Sequence, residues 1–176
     1  MRQLYILRHA QAASPQGVDD KHRPLTRQGL ADARALGQLM DRMEFKPDYI
    51  LCSPARRTRQ TLAKIQETLG PDTPVGYASG LYFATTGQLY DHIKRVDSKY
   101  RNIMLVSHNP SVHGLARFLT GLGPPDLLML LELDYRECTM AALDCPIDSW
   151  ASLLPAQCDL KNLLIPGKDF RGEIVD

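Results

Sequence analysis

The chain has 176 residues, and its 21 Lys and Arg side chains nearly balance its 20 Asp and Glu side chains, leaving a formal net charge of +1. A balance this even argues against a protein whose whole surface binds nucleic acid, but it is compatible with a small basic pocket. The length fits one domain, which we expect to span residues 1–165 and to be followed by a loosely ordered tail, residues 166–176.

Apolar runs in this sequence are short. None approaches the ~18–20 residues that a membrane-spanning helix needs, and the N-terminal run is too short for a signal-peptide core. We therefore expect a cytoplasmic protein with no membrane partner. The cysteines show neither a C-x-x-C pair nor zinc-like spacing, so we expect free thiols rather than disulfides or a metal site. They are Cys52, Cys138, Cys145 and Cys158.

The first half of the chain alternates short apolar runs with helical patterns. Residues 5–7 predict a buried strand, and Thr26 is suited to cap a helix whose apolar side chains recur at helical spacing as far as Met43. Residues 49–52 predict a second strand, and residues 56–69 predict a second helix that ends at a Gly-Pro pair.

The second half continues the alternation with less regular spacing. We expect a short strand at residues 74–78, a helix at residues 88–96 and a buried strand at residues 103–106. Ser111 is predicted to cap the next helix, residues 121–125 to form a break, and residues 127–133 and 140–143 to form strands.

Strands that alternate with helices predict a three-layer α/β/α sandwich around a mainly parallel central sheet. In such sheets, ligands bind beyond the carboxyl ends of the strands. Three of the apolar runs are followed at once by conspicuous polar residues, namely Arg8-His9, residues 53–57 and residues 107–109. If these runs are parallel neighbours, the three polar segments meet at one edge of the sheet.

Side chains from these three segments would form a cationic pocket. The planar guanidinium of arginine matches the oxygens of a phosphoryl group, and a neutral imidazole can attack phosphorus to give a covalent intermediate. Each segment alone has a simpler explanation. Arg8-His9 could be a surface pair at a strand end, Arg56, Arg57 and Arg59 a solvated helix face, and His108 a hydrogen-bonded histidine. Their joint placement after separate apolar runs favours the pocket.

Four segments, in chain order, resemble the signatures of the histidine phosphatase superfamily. They are Leu-Arg-His-Ala at residues 7–10, Arg-Pro-Leu-Thr-Arg-Gln-Gly at residues 23–29, Ser-Pro-Ala-Arg-Arg-Thr-Arg-Gln-Thr at residues 53–61 and His-Asn-Pro at residues 108–110. Within that superfamily the chain looks like the SixA-type phosphohistidine phosphatases. Residues 158–161 also resemble the C-terminal segment of that group. The resemblance implies a phosphoglycerate mutase-like fold.

The resemblance also implies roles for individual residues. His9 is expected to be the nucleophile, with Arg8, Arg57 and His108 holding the phosphoryl group and Asn109 as a further candidate phosphate ligand. Arg57 is chosen over Arg56 because it stands at the fifth position of the Ser-Pro motif. No cofactor or metal is implied, and a zinc hydrolase or a serine hydrolase is disfavoured by the spacing of the motifs.

The general acid is where the sequence departs from much of the superfamily. Many members have a glutamate after the second helix that protonates an alkoxide leaving group, but residues 80–87 contain no carboxylate. Losing a positioned acid typically costs about 10²–10⁴-fold in rate, whereas the imidazole of a phosphohistidine leaves with less help. Asp20 is the best substitute acid or water-orienting group, and the alternative is that it is an ordinary loop aspartate.

We therefore expect a phosphohistidine phosphatase that removes the phosphoryl group from a phosphorylated histidine-containing protein, such as a phosphorelay or phosphotransferase protein, and releases phosphate. A phosphatase of small phosphate esters, with Asp20 as the acid, is the second interpretation. A non-catalytic phosphate-binding module is the third. The other histidines, His22, His92 and His113, are expected to be structural or exposed.

Overall fold

The computed structural model describes residues 1–174 and contains seven strands, five α-helices and three short 3-10 turns within them. The strands are β1 (Arg2–Arg8), β2 (Tyr49–Cys52), β3 (Val75–Tyr77), β4 (Asn102–Ser107), β5 (Thr120–Leu122), β6 (Met140–Cys145) and β7 (Cys158–Leu164). The helices are α1 (Arg27–Arg42), α2 (Arg56–Leu69), α3 (Thr86–Lys94), α4 (Ser111–Leu119) and α5 (Pro125–Leu133). The 3-10 turns lie at Asp20–His22, Ser79–Leu81 and Trp150–Ser152.

All seven strands form one sheet in the order β3-β2-β4-β1-β6-β7-β5. The four strands β3, β2, β4 and β1 run parallel to one another, and β6 is antiparallel to both of its neighbours. Strand β5 pairs in parallel with β7. The prediction of an α/β fold with a mainly parallel central sheet is therefore confirmed.

Two helical layers cover the sheet, because side chains alternate between the faces of each strand. In β1, Tyr5 and Leu7 face a core shared with α1 and α2, whereas Leu4 and Ile6 face a core shared with α3, α4 and α5. All four side chains are at most 1% exposed, as expected for a central strand buried on both faces. The predicted three-layer α/β/α sandwich is thus confirmed.

Helix α1 begins where its sequence predicts. The side chain of Thr26 accepts a hydrogen bond from the Gly29 amide, which satisfies one of the free amides of the first turn and typically contributes about 1 kcal/mol. Leu36 and Met40 then bury themselves against the sheet. Helix α2 and strand β2 occupy the predicted residues, and no helix of the described chain is long and apolar enough to cross a membrane.

Three expectations for the second half of the chain are wrong. Residues 127–133 lie in helix α5 rather than in a strand, because Pro125 starts a helix well and a short apolar run does not distinguish the two structures. Ser111 is the first residue of α4 and not its cap; its hydroxyl donates to the Ala84 carbonyl. Gly121 lies in β5 instead of in a break.

The predicted tail, residues 166–176, lies only partly within the described residues. Its first part folds back onto α1, where the Gly172 amide donates to Asp32 Oδ1 at 2.9 Å and the Gly172 carbonyl accepts from Gln28 at 2.9 Å. Phe170 packs against the core beneath α1 and α2. Whether the whole tail is loosely ordered in solution stays a prediction.

Candidate active site

The three polar segments meet at the carboxyl edge of the sheet, because β4 lies between β1 and β2 with all three strands parallel. In the register of these strands, Arg8 pairs with Ser107 and Cys52 with Val106. The residues that directly follow the three strands therefore lie close together. The His9 amide donates to the Ser107 carbonyl at 3.1 Å. As a result, the rings of His9 and His108 lie edge to face with centroids 5.3 Å apart.

The imidazole of His9 is buried and held in one orientation. Its Nδ1 donates to the Ala10 carbonyl at 2.8 Å, so in the neutral ring the lone pair is on Nε2. Arg57 Nε donates to this Nε2 at 3.3 Å. Burial is the main cause that lowers the pKa of His9 to about 4, and the charges of Arg57 and Arg8 lower it further against the opposing bond to Ala10. At neutral pH, His9 therefore presents an unprotonated Nε2.

Arg57 crosses the pocket from the first turn of α2. Its guanidinium donates to the Asp20 carbonyl at 2.7 Å and to Asp20 Oδ2 at 3.1 Å, in addition to its bond to His9. The side chain is buried, whereas that of its neighbour Arg56 is exposed to solvent. The structure thus brings Arg57, and not Arg56, against His9.

His108 closes the pocket on the side opposite Arg57. Its Nε2 shares a hydrogen bond of 2.7 Å with the Ser53 hydroxyl. Burial, followed by the nearby His9 and Arg57, lowers the pKa of His108 to about 3. The ring is therefore neutral at physiological pH, and a negatively charged ligand is the natural counterpart for the cations around it.

Arg8 and Asn109 converge on one backbone carbonyl at the rim. Arg8 donates to the Tyr135 carbonyl at 3.0 Å and forms an ion pair with Glu137 at 3.3 Å, and Asn109 donates to the same carbonyl at 2.9 Å. Five buried side-chain polar atoms lack a partner within residues 1–174, and three of these belong to Arg8, His108 and Asn109. Such a concentration of unpaired polar atoms is typical of a ligand site.

Asp20 reaches the pocket, but not as a protonated acid. A hydrogen bond from the Tyr82 hydroxyl is the largest cause that lowers the pKa of Asp20 to about 2, helped by Arg23 and Arg57. The carboxylate is therefore ionised at neutral pH and has no proton to donate. Whether Asp20 acts as the general acid or orients water stays a prediction, and its lowered pKa favours the second role.

The remaining motif residues hold the loop that carries His9. Thr61 accepts a hydrogen bond from the Ala10 amide at 3.0 Å, and Gln60 accepts one from the Leu25 amide at 2.8 Å. The Gln11 carbonyl accepts from the Thr26 amide at 2.9 Å. A Cβ on Gly29 would lie 2.2 Å from that same carbonyl oxygen, so only glycine allows this close approach.

Two residues that border the pocket, Tyr82 and Glu137, were not predicted from the sequence. The ring of Tyr82 lies edge-on to that of His108, with the ring centroids 5.7 Å apart. The Arg57 guanidinium carbon lies 5.8 Å from the centroid of the Tyr82 ring. Burial and the hydrogen bond to Asp20 raise the pKa of Tyr82. Its segment, residues 80–87, contains no carboxylate and therefore gave no sign of a catalytic side chain. Glu137 pairs with Arg8 from a loop without any motif, so no local signal identified it.

The other histidines lie outside the pocket. His22 is exposed and pairs with Asp19 at 2.8 Å, and His113 contacts the Leu131 carbonyl at 2.6 Å while stacking on Tyr135. Across the described part of the chain, no group of three or more His, Cys, Asp and Glu side chains is arranged to hold a metal ion.

Comparisons with known proteins place these features in a family. The model of the histidine phosphatase superfamily (branch 1) matches residues 4–82. An uncharacterized protein of Mycobacterium tuberculosis is 36% identical over 161 residues, which cover 91% of this chain and 99% of that protein. Two solved structures, each assigned as phosphohistidine phosphatase SixA, are also similar.

The structure from Agrobacterium tumefaciens has a TM-score of 0.79 and 28% identity, and covers 94% of this chain and 98% of its own. The structure from Nakamurella multipartitia has a TM-score of 0.77 and 28% identity, with 93% and 95% coverage. Four ordered motifs, their convergence on one pocket and these similarities lead to one conclusion. The chain belongs to the histidine phosphatase superfamily.

Proposed function

We propose that this protein is a phosphohistidine phosphatase, in which His9 takes the phosphoryl group from a histidine of a phosphorylated protein. The observation that carries the proposal is the orientation of His9, whose Nδ1 donates to the Ala10 carbonyl so that Nε2 faces the cationic pocket beside Arg57. A nucleophile of this kind needs no activating base, because its pKa keeps it unprotonated at neutral pH.

In the first step, His9 Nε2 attacks phosphorus and the phosphorus–nitrogen bond of the substrate breaks. The leaving imidazole departs neutral once its other ring nitrogen has taken a proton from solvent, so the enzyme need not supply an acid. In the second step, water attacks phospho-His9, releases inorganic phosphate and regenerates the imidazole. Asp20, which contacts Arg57 beside His9, would orient that water.

The phosphoryl oxygens would be held by Arg57, Arg8 and His108, with Asn109 at the rim. The planar fork of Arg57 reaches the pocket from α2, and its position beside His9 Nε2 suits an oxygen of the group being transferred. The guanidinium groups balance the negative charge on that group and so stabilise the loose transition state of phosphoryl transfer.

The leaving group favours phosphohistidine over phosphate esters. An alkoxide needs a positioned acid, whose absence typically costs about 10²–10⁴-fold, and Asp20 is ionised here. One observation favours the ester alternative, namely the neutral hydroxyl of Tyr82 beside His108 and Asp20. That hydroxyl is a weak acid with a raised pKa and is directed at Asp20, so it is a poor proton donor for an alkoxide.

The proposal is tested by offering the protein a phosphorylated histidine-containing domain and a panel of phosphate esters, with His9→Ala as the inactive control. We expect kcat/KM for phosphohistidine to exceed that for every ester by at least about 10²-fold, the cost of a missing acid. Rapid ester hydrolysis with an unchanged phosphoprotein would reject the proposal in favour of a small-molecule phosphatase. Tight phosphate binding without any turnover would indicate a binding module.

A further inference from the structure

A basic groove opens beside the catalytic pocket. It has a volume of about 650 Å³, and its floor is the outer face of the first two turns of α2. Arg56, Arg59, Gln60 and Ala63 follow one another at helical spacing along this face. Lys21 and Tyr77 also line the groove.

The groove holds positive charge that the protein itself does not neutralise. Lys21, Arg56 and Arg59 are exposed, and none has a carboxylate within 4.0 Å among residues 1–174. The acidic side chains nearest in sequence are already engaged: Asp19 pairs with His22, and Asp20 is held by Arg57 and Arg23. The Arg59 guanidinium lies 4.8 Å from the ring of Tyr77, which orients it along the groove.

The groove lies next to the pocket that contains His9, because its lining residues Lys21 and Arg56 directly adjoin the pocket residues Asp20 and Arg57 in sequence. Lys21 directly follows Asp20, and its ammonium lies 6.0 Å from the ring of Tyr82, the residue that borders His108. Arg56 and Arg57 are neighbours on α2, so one guanidinium faces the groove and the next faces His9. The cations of the groove therefore lie close to the site of a phosphoryl group bound at His9.

We infer that this basic groove binds an acidic segment of the phosphorylated protein, adjacent to the phosphohistidine, and thereby selects the substrate. The inference rests on the proposed function. A protein segment fits better than a nucleic acid, because the cations form one short row beside a chain whose net charge is only +1. The exposed ring of Tyr77, 48% accessible, offers apolar contact of the kind found in protein interfaces.

The length of the groove limits where the acidic residues must lie. From Arg56 to Ala63 the helix rises about 10 Å at ~1.5 Å per residue, which an extended peptide spans with about three residues. Glutamate or aspartate within about three positions of the phosphohistidine, or an equally close acidic helix turn, would reach Arg56 and Arg59.

The test compares two short peptides that carry phosphohistidine and differ only in having glutamate or glutamine at the flanking positions. We expect KM for the glutamate peptide to be about 10-fold lower, equivalent to ~1.4 kcal/mol. Arg59→Glu should abolish or reverse this preference. Arg42→Glu changes the net charge equally at the end of α1, where the side chain is exposed and lies outside the groove, and should preserve the preference. The preference should also weaken as ionic strength rises.

A binding measurement separates this inference from the proposed function. In the His9→Ala background, which cannot turn over, fluorescence anisotropy should show the same glutamate preference and its loss with Arg59→Glu. If the wild-type protein hydrolyses neither peptide, the proposed function fails and binding alone decides the role of the groove. Equal affinity for both peptides, a preference that survives Arg59→Glu, or stronger competition by a short RNA would each overturn the inference.

Discussion

Replacing Arg57 tests how the pocket holds the phosphoryl group. Its guanidinium makes three hydrogen bonds, to His9 Nε2 at 3.3 Å, to the Asp20 carbonyl at 2.7 Å and to Asp20 Oδ2 at 3.1 Å. Arg57→Ala removes all three hydrogen bonds. It also removes one of the cations that neutralise the charge developing on the phosphoryl oxygens. Arg56→Ala removes the same side chain one position away, where it is exposed, and is the matched control for a small substrate that does not extend into the basic groove.

The expected magnitude follows from the role of arginine in phosphoryl transfer. Loss of one preorganised donor costs about 10²–10³-fold in kcat, and loss of an arginine that neutralises the transferred group costs about 10³–10⁵-fold. We expect kcat to fall about 10³-fold in Arg57→Ala, or ~4 kcal/mol in activation free energy. Arg57→Lys should recover only part of this loss, because lysine keeps the charge but not the planar fork.

Single-turnover and steady-state kinetics on a small phosphoramidate would measure these values, together with thermal unfolding to show that each variant is folded. The pKa of His9 provides an internal check, since the charge of Arg57 contributes to lowering it. In Arg57→Ala that pKa should rise from about 4 but stay below 6.5, because burial is the main cause of the shift, as followed by NMR. Comparable losses in Arg57→Ala and Arg56→Ala, with both proteins folded, would refute the assignment.

Three further predictions follow from the geometry. Because His9 must be unprotonated and its pKa is lowered to about 4, kcat/KM should fall only as the pH drops through about 4; an acid limb near 6.5 would contradict the buried neutral imidazole. In Tyr82→Phe the main cause of the lowered Asp20 pKa is removed, so that pKa should rise from about 2 by NMR titration, and an unchanged value would mean that the hydroxyl does not bind Asp20. Gly29→Ala places a Cβ 2.2 Å from the Gln11 carbonyl oxygen and should lower the free energy of unfolding by about 1–3 kcal/mol in urea denaturation. Gly87→Ala, another helical glycine whose Cβ would meet nothing closer than 4.0 Å, should be nearly neutral, and equal losses in the two variants would argue against the clash.

Local sequence signals predicted the elements that build the pocket. Strand β2 and helix α2 occupy the expected residues because Ser-Pro and Gly-Pro pairs mark their ends as clearly as periodicity marks their interiors. Helix α5 was missed because its leucine-rich run has hardly any polar face, so its periodicity carries no signal. The antiparallel insertion of β6 beside β1 depends on strand order, which local sequence does not specify.

The pocket itself was predictable to the extent that strand ends define it. His9, Arg57 and His108 each lie directly after or near the end of a parallel strand, so their meeting followed from fold class. The lowered pKa of Asp20 did not, because its largest cause is the hydroxyl of Tyr82, which approaches from a distant loop. The same holds for the ion pair of Arg8 with Glu137, which only the folded chain brings together.

The nucleophilic role of His9 is tested most directly by trapping its phosphorylated form. The protein is mixed with a radioactively labelled phosphohistidine substrate, quenched with denaturant at alkaline pH and examined for protein-bound phosphate that is lost on acid treatment. We expect such a label in the wild-type protein, located by mass spectrometry at His9 and absent from His9→Ala. Substrate turnover with no label, or a label that persists in His9→Ala, would contradict this expectation.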